Sequence, residues 1–176
     1  MAIKTNWYVL TGGPCSGKSK VLEYIKSQGY TISKETARTL IDEGIAKGKT
    51  VEAIRKDKAK FQNDILNLKI KLENKLDPKQ TIFLDRGIPD SIVYFKEAGL
   101  NVDLVVKESA KRQYKKVFFL KQPYIKNDYA RTEDVKTSKR ISKLLFKAYT
   151  DLGYNLITVR VTRTIKEKAE FILNNL

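Results

Sequence analysis

The first residues that could do chemistry form a glycine-rich stretch fitting the pattern G-x-x-x-x-G-K-[ST]. It reads Gly12-Gly13-Pro14-Cys15-Ser16-Gly17-Lys18-Ser19 and is called the phosphate loop below. Glycine lets a backbone approach an anion closely, and the N–H groups of such a loop bind phosphate oxygens. We expect Lys18 to reach the β- and γ-phosphates of a nucleotide and Ser19 to offer its hydroxyl to Mg²⁺. The stretch therefore predicts a site for a phosphorylated ligand.

A carboxylate is expected beside this loop at position 35. Glu35 follows the short β-branched run 30–33 and opens a helical pattern, so it lies just beyond the carboxyl end of a strand. Ligands of open α/β sheets bind at that edge, which makes Glu35 a candidate general base. The alternative is a first-turn glutamate that complements the helix dipole. Arg38, one turn further on, either binds a substrate anion or pairs with Glu35.

A second acid ends the buried-strand pattern of residues 81–84. Asp85 then resembles a Walker B carboxylate, placed where it can hold a metal-bound water near the Mg²⁺ of the loop. The alternative for Asp85 is a helix N-cap. Arg86 follows immediately and can neutralise phosphate charge.

A polar and aromatic segment, 121–139, shows no clear periodicity and contains a proline. Long loops inside compact α/β chains are usually functional, so we expect a lid over the site. Arg131, together with Arg140 from the following helix, would then close on the transferring phosphate. The alternative is an ordinary basic surface loop.

The elements that must position these residues alternate between strand and helix patterns, which predicts an α/β fold. The predicted strands are 6–11, 30–33, 81–85, 117–120 and 156–159. The predicted helices are 17–28, 35–47, 50–76, 89–98, 101–113, 138–152 and 163–174. Phe61, Gln62 and Ile65 of the long helix are interpreted as core residues, with a substrate pocket as the alternative. A length of 176 residues favours one domain, 1–176.

The composition limits which side chains can act in catalysis. The chain has no histidine, so carboxylates must supply any base, and its single cysteine excludes an internal disulfide framework. That cysteine, Cys15, is interpreted as a small filler in the loop, with a thiol-sensitive nucleotide site as the alternative. No apolar run of membrane-spanning length and no signal peptide are seen, which favours a cytoplasmic enzyme.

The charge balance is strongly basic. The formal net charge is +15, carried mostly by lysines spread along the chain. We interpret this as a solvated lysine-rich surface. The alternative is a polyanionic partner, either nucleic acid or an anionic membrane surface.

Several motifs in their order resemble one known family. After the phosphate loop come Glu35-Thr36-Ala37-Arg38, Leu84-Asp85-Arg86-Gly87 and Arg131-Thr132-Glu133-Asp134, followed by Ala148-Tyr149-Thr150-Asp151-Leu152-Gly153-Tyr154. Together they resemble the small P-loop AAA-type ATPase and kinase-like family related to the ribosylnicotinamide kinase domain. The resemblance covers nearly the whole chain.

This resemblance implies a P-loop NTPase fold of the nucleoside-kinase-like type, a five-stranded parallel sheet with helices on both faces and a lid. It implies ATP with Mg²⁺ as cofactors. It also implies that Glu35 accepts the proton of a substrate hydroxyl, that Asp85 and Arg86 act beside the phosphates, and that Arg131 belongs to the lid. Where relatives often have a proline near the adenine, this chain has Arg160-Val161, so ATP and GTP both stay open.

The function expected from residues and resemblance is an ATP- and Mg²⁺-dependent kinase acting on a small-molecule hydroxyl of a nucleoside or ribosyl compound. One alternative is a nucleotide-switched ATPase or GTPase that binds anionic lipid or nucleic acid. Another is a 5′-hydroxyl polynucleotide kinase. The sequence identifies neither the acceptor nor the oligomeric state.

Overall fold

A five-stranded parallel sheet lies at the centre of the computed structural model, which describes residues 1–122 and 135–176. The strands in chain order are β1 (Ile3–Lys4), β2 (Trp7–Thr11), β3 (Thr31–Ile32), β4 (Ile82–Asp85), β5 (Arg112–Gln113), β6 (Lys116–Leu120) and β7 (Leu156–Val159). The central sheet has the order β3-β4-β2-β6-β7, and β1 pairs with β5 in a separate two-stranded sheet. All five strands predicted from the sequence are present.

Helices cover both faces of the sheet. They are α1 (Lys18–Ser27), α2 (Thr36–Ala46), α3 (Val51–Arg55), α4 (Lys58–Lys75), α5 (Asp90–Glu97), α6 (Asp103–Ser109), α7 (Val135–Asp151) and α8 (Ile165–Leu173). Both faces of the middle strand, β2, are therefore buried, and its five residues are all apolar or β-branched.

Alternate residues of β2 belong to different core clusters. Tyr8 and Leu10 pack with α1 and α8, whereas Trp7 and Val9 lie in a cluster on the opposite side of the sheet. Because side chains alternate along a strand, this division places helices against each face. The α/β fold predicted from the sequence, with a five-stranded parallel sheet and helices on both faces, is confirmed.

Two helix predictions were wrong in their bounds. The predicted helix 50–76 is two helices, because the Asp57 carboxylate accepts a hydrogen bond from the Lys60 backbone N–H at 2.8 Å and starts α4 afresh. The predicted helix 101–113 ends at Ser109, and the chain then forms β5 against β1. The long-range strand pairing outweighs the helical pattern there.

Some predictions lie outside the described residues. Arg131 and most of the proposed lid belong to 123–134, so they stay predictions. Within the described ranges no helix is long and apolar enough to cross a membrane. The cytoplasmic location also stays a prediction.

Candidate active site

The phosphate loop connects β2 to α1, and its backbone conformation accounts for the glycines at positions 12 and 17. Gly12 has φ 141°, and a Cβ there would lie 2.5 Å from the Leu120 carbonyl oxygen. Gly17 has φ 86° and is the N-cap residue of α1. Cys15 also has a left-handed φ, 64°, which is uncommon for a residue with a side chain. The loop is therefore tightly constrained, and its N–H groups lie at the N-terminus of a ten-residue helix.

Lys18 is folded back over this loop. Its Nζ donates to the Gly12 and Gly13 carbonyl oxygens at 3.1 Å each and to Ser16 Oγ at 3.0 Å. Burial, and then the nearby positive charge of Arg86, lower the pKa of Lys18 to about 7. The ammonium therefore lies among acceptors where nucleotide phosphates are expected.

Two residues from distant parts of the chain hold the loop. Lys168 of α8 donates from Nζ to the Ser16 carbonyl oxygen at 3.2 Å. Gln122, just after β6, donates from Nε2 to the Pro14 carbonyl oxygen and to Ser138 Oγ of α7. Neither contact with the loop was predicted, because no local sequence pattern marks a contact between residues more than a hundred positions apart.

Asp85 ends β4 directly opposite Leu10 of β2. It is 5% exposed, and its Oδ1 has no hydrogen-bond partner among the described residues. Burial, and then the Glu35 carboxylate, raise the pKa of Asp85 to about 6. Asp85 is not a helix N-cap, since Pro89 occupies that position of α5. A buried acceptor without a partner fits a water held by Mg²⁺.

The described residues contain no group of three acidic, cysteine or histidine side chains that would hold a metal by themselves. Magnesium in nucleotide sites needs no such group, because it is bound by one or two side chains, waters and the phosphates. Ser19 and Asp85 are thus a donor set that suits Mg²⁺ delivered with a nucleotide.

Several groups hold the Arg86 side chain in the site. Its φ is 67°, its Nη1 lies 2.8 Å from Asp90 Oδ1, and its Nε lies 3.5 Å from Glu35 Oε1. The guanidinium also stacks over Tyr94, 5.5 Å from the ring centre. Burial alone would lower the pKa of Arg86, but Tyr94, Asp90 and Glu35 outweigh it and the net shift is upward. Strained backbone of this kind is typical of functional positions.

Asp90 holds Arg86 in place and was not predicted. It is fully buried and accepts from Thr11 Oγ1 at 2.8 Å, from the Gly87 backbone N–H at 3.2 Å and from Tyr149 OH at 2.6 Å. The only available signal was its position four residues after Arg86, the spacing of an ion pair. Such a fully satisfied buried carboxylate fixes the geometry of its partner.

Two tyrosine hydroxyls fix the turn that follows Arg86. Tyr149 OH accepts from the Gly87 N–H at 3.2 Å, and Tyr114 OH accepts from the Ile88 N–H at 3.1 Å. Lys69 of α4 donates from Nζ to the Gly87 carbonyl oxygen at 2.9 Å. A Cβ at Gly87 would lie 2.8 Å from Tyr149 OH, so glycine is required there by close packing.

These elements surround a cleft of about 1360 Å³. The structure brings most of the predicted site residues to it. Those lining it are Pro14, Cys15, Ser16, Gly17, Lys18, Ser19, Glu35, Arg38 and Arg86. Gly12, Gly13 and Asp85 are buried and do not line it.

Other side chains of interest separate into two groups. Phe61 and Gln62, interpreted above as core residues, are half-buried and line the cleft, whereas Ile65 lines the cleft and is also a buried core residue, as interpreted. Arg140, suggested for the lid, does not line it and forms an ion pair with Glu97.

The phosphate loop, the strand-end acid and the surrounding parallel sheet define a P-loop nucleotide-binding protein with a kinase-type fold. The chain belongs to the AAA domain family, whose model matches residues 7–168. The match includes the phosphate loop, Glu35 and Asp85. The family relationship expected from the motifs is thereby confirmed, and with it the class of P-loop phosphotransferases and NTPases.

Two solved protein structures share the fold. Deoxyadenosine kinase from M. mycoides with bound dCTP is 16% identical with a TM-score of 0.65, covering 96% of this chain and 97% of that one. NadR protein in complex with NR is 15% identical with a TM-score of 0.67, covering 91% of this chain and 47% of that one. At such identities the likeness concerns the fold. No curated protein matches, and the comparisons give no support to a lipid or nucleic-acid partner.

Proposed function

We propose that this protein is an ATP- and Mg²⁺-dependent kinase that transfers the γ-phosphate to a hydroxyl of a nucleoside or ribosyl compound. One observation carries the proposal: a carboxylate, Glu35, and an arginine, Arg86, lie 3.5 Å apart in the cleft that the phosphate loop also lines. A kinase needs a group that accepts the proton of its acceptor hydroxyl, and Glu35 is a carboxylate that lines the same cleft as the phosphate loop.

The residues suit that reaction in three ways. Glu35 accepts the proton of the acceptor hydroxyl, whose oxygen then attacks the γ-phosphorus while the bond to ADP breaks. Lys18 and Arg86 neutralise charge on the transferring group, and both are preorganised by contacts with the protein. Ser19 and, through a water, Asp85 would hold Mg²⁺, which would neutralise charge on the phosphate oxygens when bound.

The acceptor class is supported by two features. Phe61, whose ring carries the Arg55 guanidinium 5.8 Å from its centre, and Gln62 place an aromatic side chain and an amide in the cleft, which suit a heterocycle and its polar edge. Two proteins of the same fold are a deoxyadenosine kinase and the NR-binding NadR. ATP is proposed as the donor, and GTP is the alternative that a donor comparison must test.

The test is a set of nucleosides and ribosyl compounds incubated with the full chain, ATP and Mg²⁺. ADP and the phosphorylated acceptor are quantified together by mass spectrometry. Glu35→Gln should lower kcat about 10²–10⁴-fold, because it removes the proton acceptor. Lys18→Ala should abolish both products.

Glu43→Gln is the matched control for the Glu35 variant. It makes the same chemical change on the same helix, at an exposed position outside the cleft. It should leave both products unchanged. If ADP forms without any phosphorylated acceptor and Glu35→Gln turns over nucleotide normally, the kinase proposal is refuted in favour of a nucleotide-switched NTPase.

A further inference from the structure

The cleft carries more positive charge than a nucleotide requires. Basic side chains far outnumber acidic ones along its walls, and the acidic ones are Glu23, Glu35 and Glu97. Two of these three are already engaged, Glu35 with Arg86 and Glu97 with Arg140. Much of the positive charge is therefore available to a ligand.

Three of the cations come from one wall, built by α2, α3 and α4. They are Arg38, Arg55 and Lys58, all exposed, and none forms an ion pair with a described residue. The helices that carry Arg38 and Arg55 pack closely, since a Cβ at Gly44 of α2 would lie 2.4 Å from Ile54 Cδ1 of α3. Arg38 was predicted either to pair with Glu35 or to bind an anion, and Glu35 pairs with Arg86 instead.

The N-terminus of α2 contributes backbone N–H groups and a hydroxyl to this wall. The Glu35 side chain does not cap this eleven-residue helix, so its first-turn N–H groups lack a side-chain acceptor. Thr36, which lines the same cleft, is 8% exposed, and its Oγ1 has no partner among the residues described. A buried hydroxyl without a partner is costly, and an anionic oxygen seated on the helix end would satisfy it.

The spacing of Glu35 and Arg38 limits the ligand. Side chains three residues apart on a helix start about 5–6 Å apart, so the anion bound by Arg38 lies roughly one sugar ring from the hydroxyl that Glu35 deprotonates. Two arginines, a lysine and a helix N-terminus suit a doubly charged phosphate better than a single carboxylate.

We propose that the acceptor is a pentose carrying a phosphate group beside the hydroxyl that is phosphorylated, bound by the α2 N-terminus, Arg38, Arg55 and Lys58. Such a group occurs as a doubly charged monoester in a nucleoside 3′-monophosphate, and as a singly charged diester at the 5′-hydroxyl end of an oligonucleotide. This inference rests on the proposed kinase activity and specifies its acceptor. The reaction transfers the γ-phosphate of ATP to the 5′-oxygen, releases ADP and leaves the 3′-phosphate intact.

Binding is measured first, by calorimetry of the full chain with Mg²⁺ and a non-hydrolysable ATP analogue. The probes are 2′-deoxyadenosine, its 3′-monophosphate, its 5′-monophosphate and a trinucleotide with a free 5′-hydroxyl. The 3′-monophosphate should bind about tenfold or more tightly than the nucleoside, because charge-assisted hydrogen bonds are added. The 5′-monophosphate carries the same charge on the 5′-oxygen, away from the proposed anion site. Its affinity should exceed that of the nucleoside by a much smaller factor.

Variants then test which side chains cause the preference for the 3′-monophosphate. Arg38→Gln and Arg55→Gln should each reduce the preference for the 3′-monophosphate over the nucleoside about fivefold or more. Lys107→Gln removes the same charge from an exposed position of α6 outside the cleft and should leave that preference unchanged. Tighter binding of the trinucleotide, with a steeper salt dependence, would identify a nucleic-acid end as the source.

The outcomes separate this inference from the kinase proposal. Equal binding of nucleoside and 3′-monophosphate, binding of no probe, or a preference unchanged in both arginine variants overturns the inference. Transfer from ATP to the nucleoside alone would leave the kinase standing and the inference refuted. Tight binding of the 3′-monophosphate without any transfer would support the anion site and refute the kinase.

Discussion

Tyr149→Phe tests whether Asp90 really fixes the Arg86 side chain. The variant removes one hydroxyl from a fully buried position, and with it the 2.6 Å bond to Asp90 Oδ2. Bonds to charged groups contribute roughly 1.5–3 kcal/mol. The Gly87 N–H keeps Asp90 as an acceptor at 3.2 Å, so no donor is orphaned and a loss of about 2 kcal/mol is expected.

For a chain of this size, 1 kcal/mol moves the melting midpoint by about 2–4 °C. Tyr149→Phe should therefore melt about 4–8 °C below the parent protein. Less firmly held, Arg86 should stabilise the transferring phosphate less well, and kcat should fall about tenfold while ATP binding changes little. Thermal unfolding by circular dichroism and steady-state kinetics measure the two effects.

The matched control is Tyr154→Phe. Among the described residues its hydroxyl makes only longer, neutral hydrogen bonds, with the Tyr114 N–H and the Arg112 carbonyl oxygen at 3.3 Å each. Its removal should cost about 1 kcal/mol or less and leave kcat unchanged. An equal loss of stability in both variants, or an unchanged kcat in Tyr149→Phe, would refute the positioning role.

The effect of pH provides a second check. Burial alone would raise the pKa of Asp90, but Arg86 and Lys69 outweigh it, so the net pKa lies below the ordinary value of 3.8. An acid with a lowered folded-state pKa stabilises the fold above its ordinary pKa and loses that contribution as pH falls through the lowered one. The difference in free energy of unfolding between Tyr149→Phe and the parent protein should be equal at pH 5 and pH 7. It should shrink only below about pH 4.

Three further substitutions have defined outcomes. Gly12→Ala would place a methyl 2.5 Å from the Leu120 carbonyl oxygen, so it should destabilise the fold by about 2 kcal/mol or more and abolish nucleotide binding measured by calorimetry. Asp85→Asn should raise the Mg²⁺ concentration for half-maximal velocity about tenfold or more, and an unchanged Mg²⁺ titration would remove Asp85 from the metal site. Burial raises the pKa of Glu73 to about 7, above its ordinary 4.5, so stability should fall as pH rises from 4.5 to 7. Glu73→Gln keeps an acceptor for Tyr114 and should remove the Glu73 part of that fall, leaving the part that Asp85 causes and gaining up to roughly 3 kcal/mol at pH 8 in urea unfolding.

The parts of the site predicted from the sequence are those with local signals. The phosphate loop, the strand before it and the helix after it follow from one motif and its flanks. Glu35 and Asp85 were placed correctly because parallel strands bring their carboxyl ends to one edge of a sheet. Their catalytic and metal-binding roles stay predictions, since position alone does not measure them.

The parts that were missed depend on contacts between distant residues. Asp90 accepts a hydrogen bond from the hydroxyl of Tyr149, 59 positions later in the chain. The phosphate loop is held by Lys168, 152 positions after Ser16. The break at Asp57 was missed for a different reason. The apolar period continues across it, and a capping aspartate inside a lysine-rich stretch gives a weak local signal.

The contacts of Lys18 make nucleotide binding an exchange reaction. Three acceptors of the loop already surround its ammonium, so an incoming phosphate must replace bonds and cannot simply add to them. The net gain is then the difference between two sets of hydrogen bonds, and it grows with the negative charge of the ligand. We therefore expect a polyphosphate to displace the internal bonds of Lys18 more readily than a single inorganic phosphate does.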